Sequence, residues 1–177
     1  MTNATSDRFP TAGERLPEII REVNHADDVE IPPDAIDAAQ QLADVVGGEH
    51  VEWPLTSRGG GPGVVATSCI YVADYAVRGE GRVTQERLCE LAPGSHPTVR
   101  KYYRDVPAVF FEHSTTSDRR HLDRIPIDYN GPDVSVLDVL RVFNAAERAG
   151  IGIRNIDLGA EPAAMRKLAN ALEEVQV

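Results

Sequence analysis

The stretch GPGVVATSCIYVADYAVRGEGRVTQERLCELAPGSHPTVRKYYRDV, Gly61 to Val106, decides the fold. From Val64 to Val77 its residues are apolar almost all round and many are small. A helix of that kind is enclosed on most sides, as the centre of a bundle. The prolines and glycines before Val64 read as a loop entering it. Thr84 is a good N-cap for a short helix whose apolar face is Leu88, Leu91 and Ala92, with Cys89 beside it. Pro93 and Gly94 break that helix. Ser95 can cap the next one, and Pro97 is tolerated in its first turn. There Val99, Tyr102, Tyr103 and Val106 fall at i, i+3, i+4 and i+7 and face inward. Thr98, Arg100, Lys101 and Arg104 lie opposite. Arg100 and Arg104 are one helical turn apart and point the same way. Pro107 then bends the chain.

The last two helices have helix-turn-helix spacing. In that motif the second helix enters the major groove and its N-terminal residues read bases. Any small bundle also contains two helices joined by a turn, so the spacing alone leaves DNA binding and a plain solvated face both open.

Toward the N-terminus, residues 1–12 are polar and read as a flexible arm. Leu16, Ile19, Ile20 and Val23 share one helical face. Pro32 and Pro33 suit a helix entrance, Ile36, Ala39, Ala43 and Val46 form its face, and Gly47 and Gly48 stop it. Residues 13–113 therefore read as one domain of about five helices around a buried third. Residues 114–133 carry turn signals and mixed charge and read as a linker. Residues 134–177 read as a helical extension. One amphipathic helix there faces inward through Val136, Val139, Leu140 and Phe143 and ends at Gly150; a brief alternation follows, and a last helix carries Met165, Leu168, Ala169, Leu172 and Val175.

Composition narrows the class. The chain has 177 residues, 42% of them hydrophobic, which fits an ordered globular protein of one or two domains. No apolar run approaches the roughly 18 residues of a membrane span, and the first residues lack a signal-peptide core, so a soluble cytoplasmic protein without membrane partners is expected. Acidic residues number 28 and basic ones 18, for a net charge of −10. Only Lys101 and Lys167 are lysines. An acidic surface with Arg in place of Lys suggests a high-salt cytoplasm, such as a haloarchaeon's; an acidic mesophilic protein is the alternative. Salt of that strength screens charge over a few Å, so net acidity does not exclude a nucleic-acid partner. The first 60 residues carry 12 acidic and 4 basic side chains, whereas residues 61–112 carry 6 of each. The acidity is switched off where the helix-turn-helix lies.

Conventional catalytic and metal signatures are not apparent. Cys69 and Cys89 form no C-x-x-C pair and sit in apolar helical patterns, as buried free thiols do. The five histidines are scattered, and His113 and His121 are eight apart across an Arg-rich stretch. Asp27, Asp28 and Glu30 are followed by no loop of alternating oxygen ligands. RGGGPG lacks the Lys-Ser/Thr ending of a phosphate loop. Ser68 and Cys69 lie inside the buried helix, out of a substrate's reach. The chain is read as no enzyme, with no metal and no cofactor.

The middle of the chain resembles a cyclin-like repeat of the archaeal and eukaryotic general transcription factor B (IIB) family. That family's buried third helix commonly begins with Pro and runs through small residues, matched by Pro62, Val65, Ala66, Cys69, Ile70, Tyr71, Val72 and Ala73. The next helix in its second repeat often opens with Thr-Gln, matched by Thr84 and Gln85. Its recognition helix has Thr, an aliphatic residue and Arg, then Tyr, matched by Thr98, Val99, Arg100 and Tyr103. The resemblance covers about 100 of the 177 residues and is sharp over roughly 45. It implies an all-α fold, promoter DNA and TATA-binding protein as partners with RNA polymerase machinery nearby, and DNA contacts from Ser95, His96, Thr98, Arg100, Lys101 and Arg104. No pair of Cys ligands for the family's zinc ribbon lies before Ile19, its second repeat is missing or decayed past recognition, and His96-Pro97 departs from its pattern. These departures imply a single-repeat regulator or accessory factor. A cyclin-fold adaptor that binds only protein is the alternative.

Overall fold

The structure is a computed structural model that describes residues 10–48, 51, 61–94, 96–127 and 134–150. Among these residues it is all-helical, with eight α-helices and no strand. They are α1 (Ala12–Asn24), α2 (Pro33–Val46), α3 (Gly61–Arg78), α4 (Gln85–Leu91), α5 (His96–Tyr102), α6 (Val106–His113), α7 (Thr116–Asp123) and α8 (Val136–Arg148). A 3₁₀ turn, Gly79–Gly81, links α3 to the segment before α4. The brief alternation and the last helix expected beyond Gly150 lie outside the described residues.

Every residue of α3 from Gly63 to Val77 is buried. The helix packs against α1, α2, α4, α5, α6 and α8, so no side of it is left for water. Its buried hydroxyls are satisfied within the helix: Thr67 Oγ1 donates to the Gly63 carbonyl (2.9 Å) and Ser68 Oγ to that of Val64 (2.8 Å). Cys69 is fully buried, and burial pushes its thiol far above the usual range; Cys89 is half-buried. Both are free thiols.

α1 buries the face read from its periodicity, Leu16, Ile19, Ile20 and Val23. It begins earlier than the flexible arm suggested: Thr11 and Glu14 form a capping box and Ala12 is buried. Pro17 lies inside this helix and has no N–H for the Gly13 carbonyl. Gln40 of α2 replaces it, its Nε2 donating to Gly13 O at 2.8 Å. In α2, Ala35, Ala38, Ala39, Leu42, Ala43 and Val46 are buried, whereas Ile36 is only half-buried. Small side chains on that face bring α2 close to α3.

Two regions differ from the sequence reading. Val106 does not extend α5. Residues 103–105 form a turn and Val106 opens α6. The cause is Pro107, which could not donate to the Tyr103 carbonyl in a continuous helix and instead sits in the first turn of a new one. The segment read as a linker holds α7. Its N-cap Thr115 accepts from the Asp118 N–H, and the Asp118 carboxylate accepts from the Thr115 N–H. α7 is tied to α2 by Gln41 Nε2 donating to Asp118 Oδ1 (2.8 Å) and by His121 Nε2 lying 2.8 Å from Asp37 Oδ1. Ser135 Oγ then donates to Asp123 Oδ1 (2.8 Å), joining α7 to α8. α8 packs on α3, α6 and α7, with Phe143 stacked on Tyr75 at 5.0 Å between centroids.

Asp74 is fully buried within the apolar run of α3. Arg78 Nε and Nη2 donate to its two oxygens at 2.5 and 2.7 Å, and the Val83 N–H donates to Oδ2 at 2.8 Å. One carboxylate thus closes the turn that leads from α3 to α4. Asp74→Ala removes the acceptor for a guanidinium and for a buried N–H. The expected cost is about 3–5 kcal/mol, read as a lower midpoint in urea unfolding, with Asp74→Asn losing less.

Candidate nucleic-acid interface

α4 and α5 form the pair in question. Thr84 caps α4, accepting from the Arg87 N–H at 3.2 Å. Leu88 is fully buried beneath it, with Leu91, Ala92 and Cys89 half-buried. The turn after α4 depends on Gly94, whose φ of +107° disfavours any residue with a side chain. A Cβ there would lie 3.1 Å from Val64 Cγ2 and 3.2 Å from Val99 Cγ2. The turn therefore rests directly on the first turn of α3 and on α5.

α5 packs on α3 and α4. Val99, Tyr102 and Tyr103 are buried, as the spacing predicts. Tyr103 meets Tyr71 edge-on at 5.2 Å. Behind this contact Arg82 lies over Tyr75, 3.9 Å from the ring centroid, and its Nε donates to the Tyr71 hydroxyl at 3.2 Å. Arg82 fixes the aromatic cluster on which α5 rests, a role its place between Gly81 and Val83 did not reveal.

The six residues expected to contact DNA fall as follows. Thr98 is half-buried on α5, and Arg100 and Lys101 are exposed on it. His96 is its first residue. Arg104 is exposed but lies in the turn beyond α5. Ser95 and the cap expected from it lie outside the described residues. Arg100 and Lys101 on α5 and Arg104 in the turn after it are thus three exposed cations within five residues of chain.

Their electrostatic settings differ. Arg100 and Lys101 make no ion pair with a carboxylate among the described residues. Arg104 sits 6.0 Å from the Tyr103 ring centroid, and hydrogen bonding to Tyr103 raises its already high pKa, helped by the field of Glu147 and Asp105. On α4, Arg87 is neutralised: it donates to Asp28 (2.6 Å) and Glu90 (2.8 Å). That contact holds the Asp28 carboxyl below its ordinary range. The exposed positive charge is therefore a property of α5 and the turn after it, while on α4 Arg87 is paired and Glu86 is exposed. Such charge can pair with phosphate oxygens through Lys, or with phosphate or guanine through Arg.

No group of three or more His, Cys, Asp or Glu side chains among the described residues could hold a metal ion, and no helix among them is long and apolar enough to cross a membrane. Comparisons with protein families, curated proteins and solved structures find no match to the chain.

Gly94→Ala tests how firmly the turn seats α5. Strain at the positive φ together with two crowded valine methyls should cost about 1–3 kcal/mol. Hydrogen exchange should quicken first at the α5 amides, ahead of those in the middle of α3.

Proposed function

We propose that this chain is a single-repeat relative of the general transcription factor B family. It acts in transcription initiation or its regulation, binding promoter DNA, TATA-binding protein or both through a cyclin-like domain. The observation that carries this reading is the exposure of Arg100 and Lys101 on α5, and of Arg104 in the turn after it, in an otherwise acidic chain. The buried α3 with the Pro62 to Ala73 pattern, and α4 opening at Thr84-Gln85, support the cyclin-like assignment. The mechanism follows from charge placement. Carboxylates elsewhere repel the phosphate backbone, so contact is confined to α5. Arg100 and Lys101 hold phosphates or a guanine edge, and the aromatic cluster beneath keeps the helix from tilting away.

The test is retention of a labelled TATA-containing promoter fragment, with and without TATA-binding protein, at high potassium concentration. The expected result is a shift that depends on TATA-binding protein and is lost when Arg100, Lys101 and Arg104 are all changed to Glu. These side chains are exposed, so the variant should fold with an unchanged helical spectrum. The salt slope of log K should fall by about one for each phosphate contact removed. Absence of any shift under both conditions overturns the DNA reading and favours the cyclin-fold adaptor that binds only protein.

A further inference from the structure

We infer that α7 is a clasp. It lets go of α2 and unwinds as a unit while the helices around α3 stay folded, and it keeps its foot on α8. The inference is independent of the DNA reading.

The apolar hold on α7 is small. Leu122 is its only buried residue, whereas α6, of the same length, buries Val106, Pro107 and Phe110. Little surface is therefore removed from water when α7 docks. Its eight residues are also too few to persist as an isolated helix. The capping box of Thr115 and Asp118 steadies the first turn and no more. Once α7 leaves its neighbours it loses its helical hydrogen bonds, so release and unwinding are one event.

The polar contacts on its two sides are unequal. Toward α2, Gln41 Nε2 donates to Asp118 Oδ1 (2.8 Å) and His121 Nε2 lies 2.8 Å from Asp37 Oδ1. The His121 and Asp37 side chains are 45% and 53% exposed. Water competes for such a contact, and an exposed pair adds little stability. Toward α8 the contacts are sheltered. Ser135 is 7% exposed and its Oγ donates to Asp123 Oδ1 at 2.8 Å. Ile125 is 4% exposed and its carbonyl accepts from the Val136 N–H at 2.9 Å. The weak side is thus α2, and the hinge is at Ile125. Arg119 does not alter this. It donates to Ser114 Oγ and to the Phe111 carbonyl, which fold α7 back on the end of α6 and hold nothing of α2.

Closed, the clasp ties α8 to α2 through contacts that span more than 75 residues of chain. Open, α8 keeps its packing on α3 and α6 and the stack of Phe143 on Tyr75. The C-terminal part of the chain can therefore be joined to α2 or freed from it without unfolding the core. An opening of this kind lies below global unfolding in free energy.

Native-state hydrogen exchange of the full chain, in urea concentrations below the unfolding transition, tests this. Amides of Arg119 to Asp123 should exchange about a hundredfold or more faster than those of Ile70 to Ala73, with little dependence on urea, because a local opening exposes little surface. The Val136 amide should stay protected with α8. The double variant Asp37→Ala, Gln41→Ala should speed exchange in α7 about fivefold or more and leave α3 unchanged. Alanine suits a helix at both positions, and an unchanged helical spectrum checks the fold. Asp37→Ala alone should give a smaller change of the same sign. The proposal is overturned if the α7 amides share the rate and urea slope of α3, or if the Val136 amide opens with them. It is equally overturned if the variants speed α3 as much as α7 or leave α7 unchanged.

Discussion

Enclosing a helix on every side is the constraint from which the rest follows. α3 buries fifteen consecutive residues, Gly63 to Val77. A sheath of other helices must supply what water otherwise would. α1 and α2 cover it with aliphatic and alanine faces, α4 and α5 with Leu88, Val99 and Tyr102, and α8 with Phe143. Removing that much apolar surface from water drives assembly, but it does not say which way round the helices sit. The buried polar contacts do. Asp74 fixes the exit of α3, and Gln40 keys α2 to the carbonyl that Pro17 leaves open in α1. Each has one geometry that satisfies it, so each selects one arrangement among many with similar burial.

The same logic explains how an acidic protein presents a basic edge. Arg78 and Arg87 are consumed by carboxylates, one in the interior and one at the surface. Arg100 on α5, with Lys101 beside it, and Arg119 and Arg141 where α6, α7 and α8 meet, make no ion pair with a carboxylate among the described residues. Net charge is therefore a poor guide to the local potential of this molecule. What matters is which guanidinium groups have already met an acid.

Much of this was legible in the amino-acid order. α1, α3 and α8 bury the residues their periodicity selects, and the inward and outward faces of α5 follow from three- and four-residue spacing. α7 was not legible because Leu122 is its only buried residue. Its stability lies in contacts to Gln41 and Asp37, made across more than 75 residues of chain, and no local pattern records those. The break between α5 and α6 was half visible: Pro107 announced a bend, but the apolar spacing ran through it to Val106. Asp74 was readable in principle. A lone acid in an apolar run with an arginine four residues on is a pair waiting to be recognised, and the surrounding hydrophobicity masked it. The six candidate contacts on and beside α5 were nameable from sequence. The meeting of Arg119 with Arg141 was not, since it needs α7 placed against α8.

The seating of α5 has a consequence for any partner. Gly94 presses the turn against Val64, Tyr103 is wedged against Tyr71, and Arg82 clamps the rings below. The basic edge therefore has little freedom to adjust its angle or height. Adaptation must come from the other molecule. For the partner proposed above, a seat of this kind would leave bending and changes of register to the other molecule, and the entropy lost in them would fall on that side. On the reading proposed above, the long side chains of Arg100 and Lys101 supply what adjustment this side offers, from a backbone held in one place.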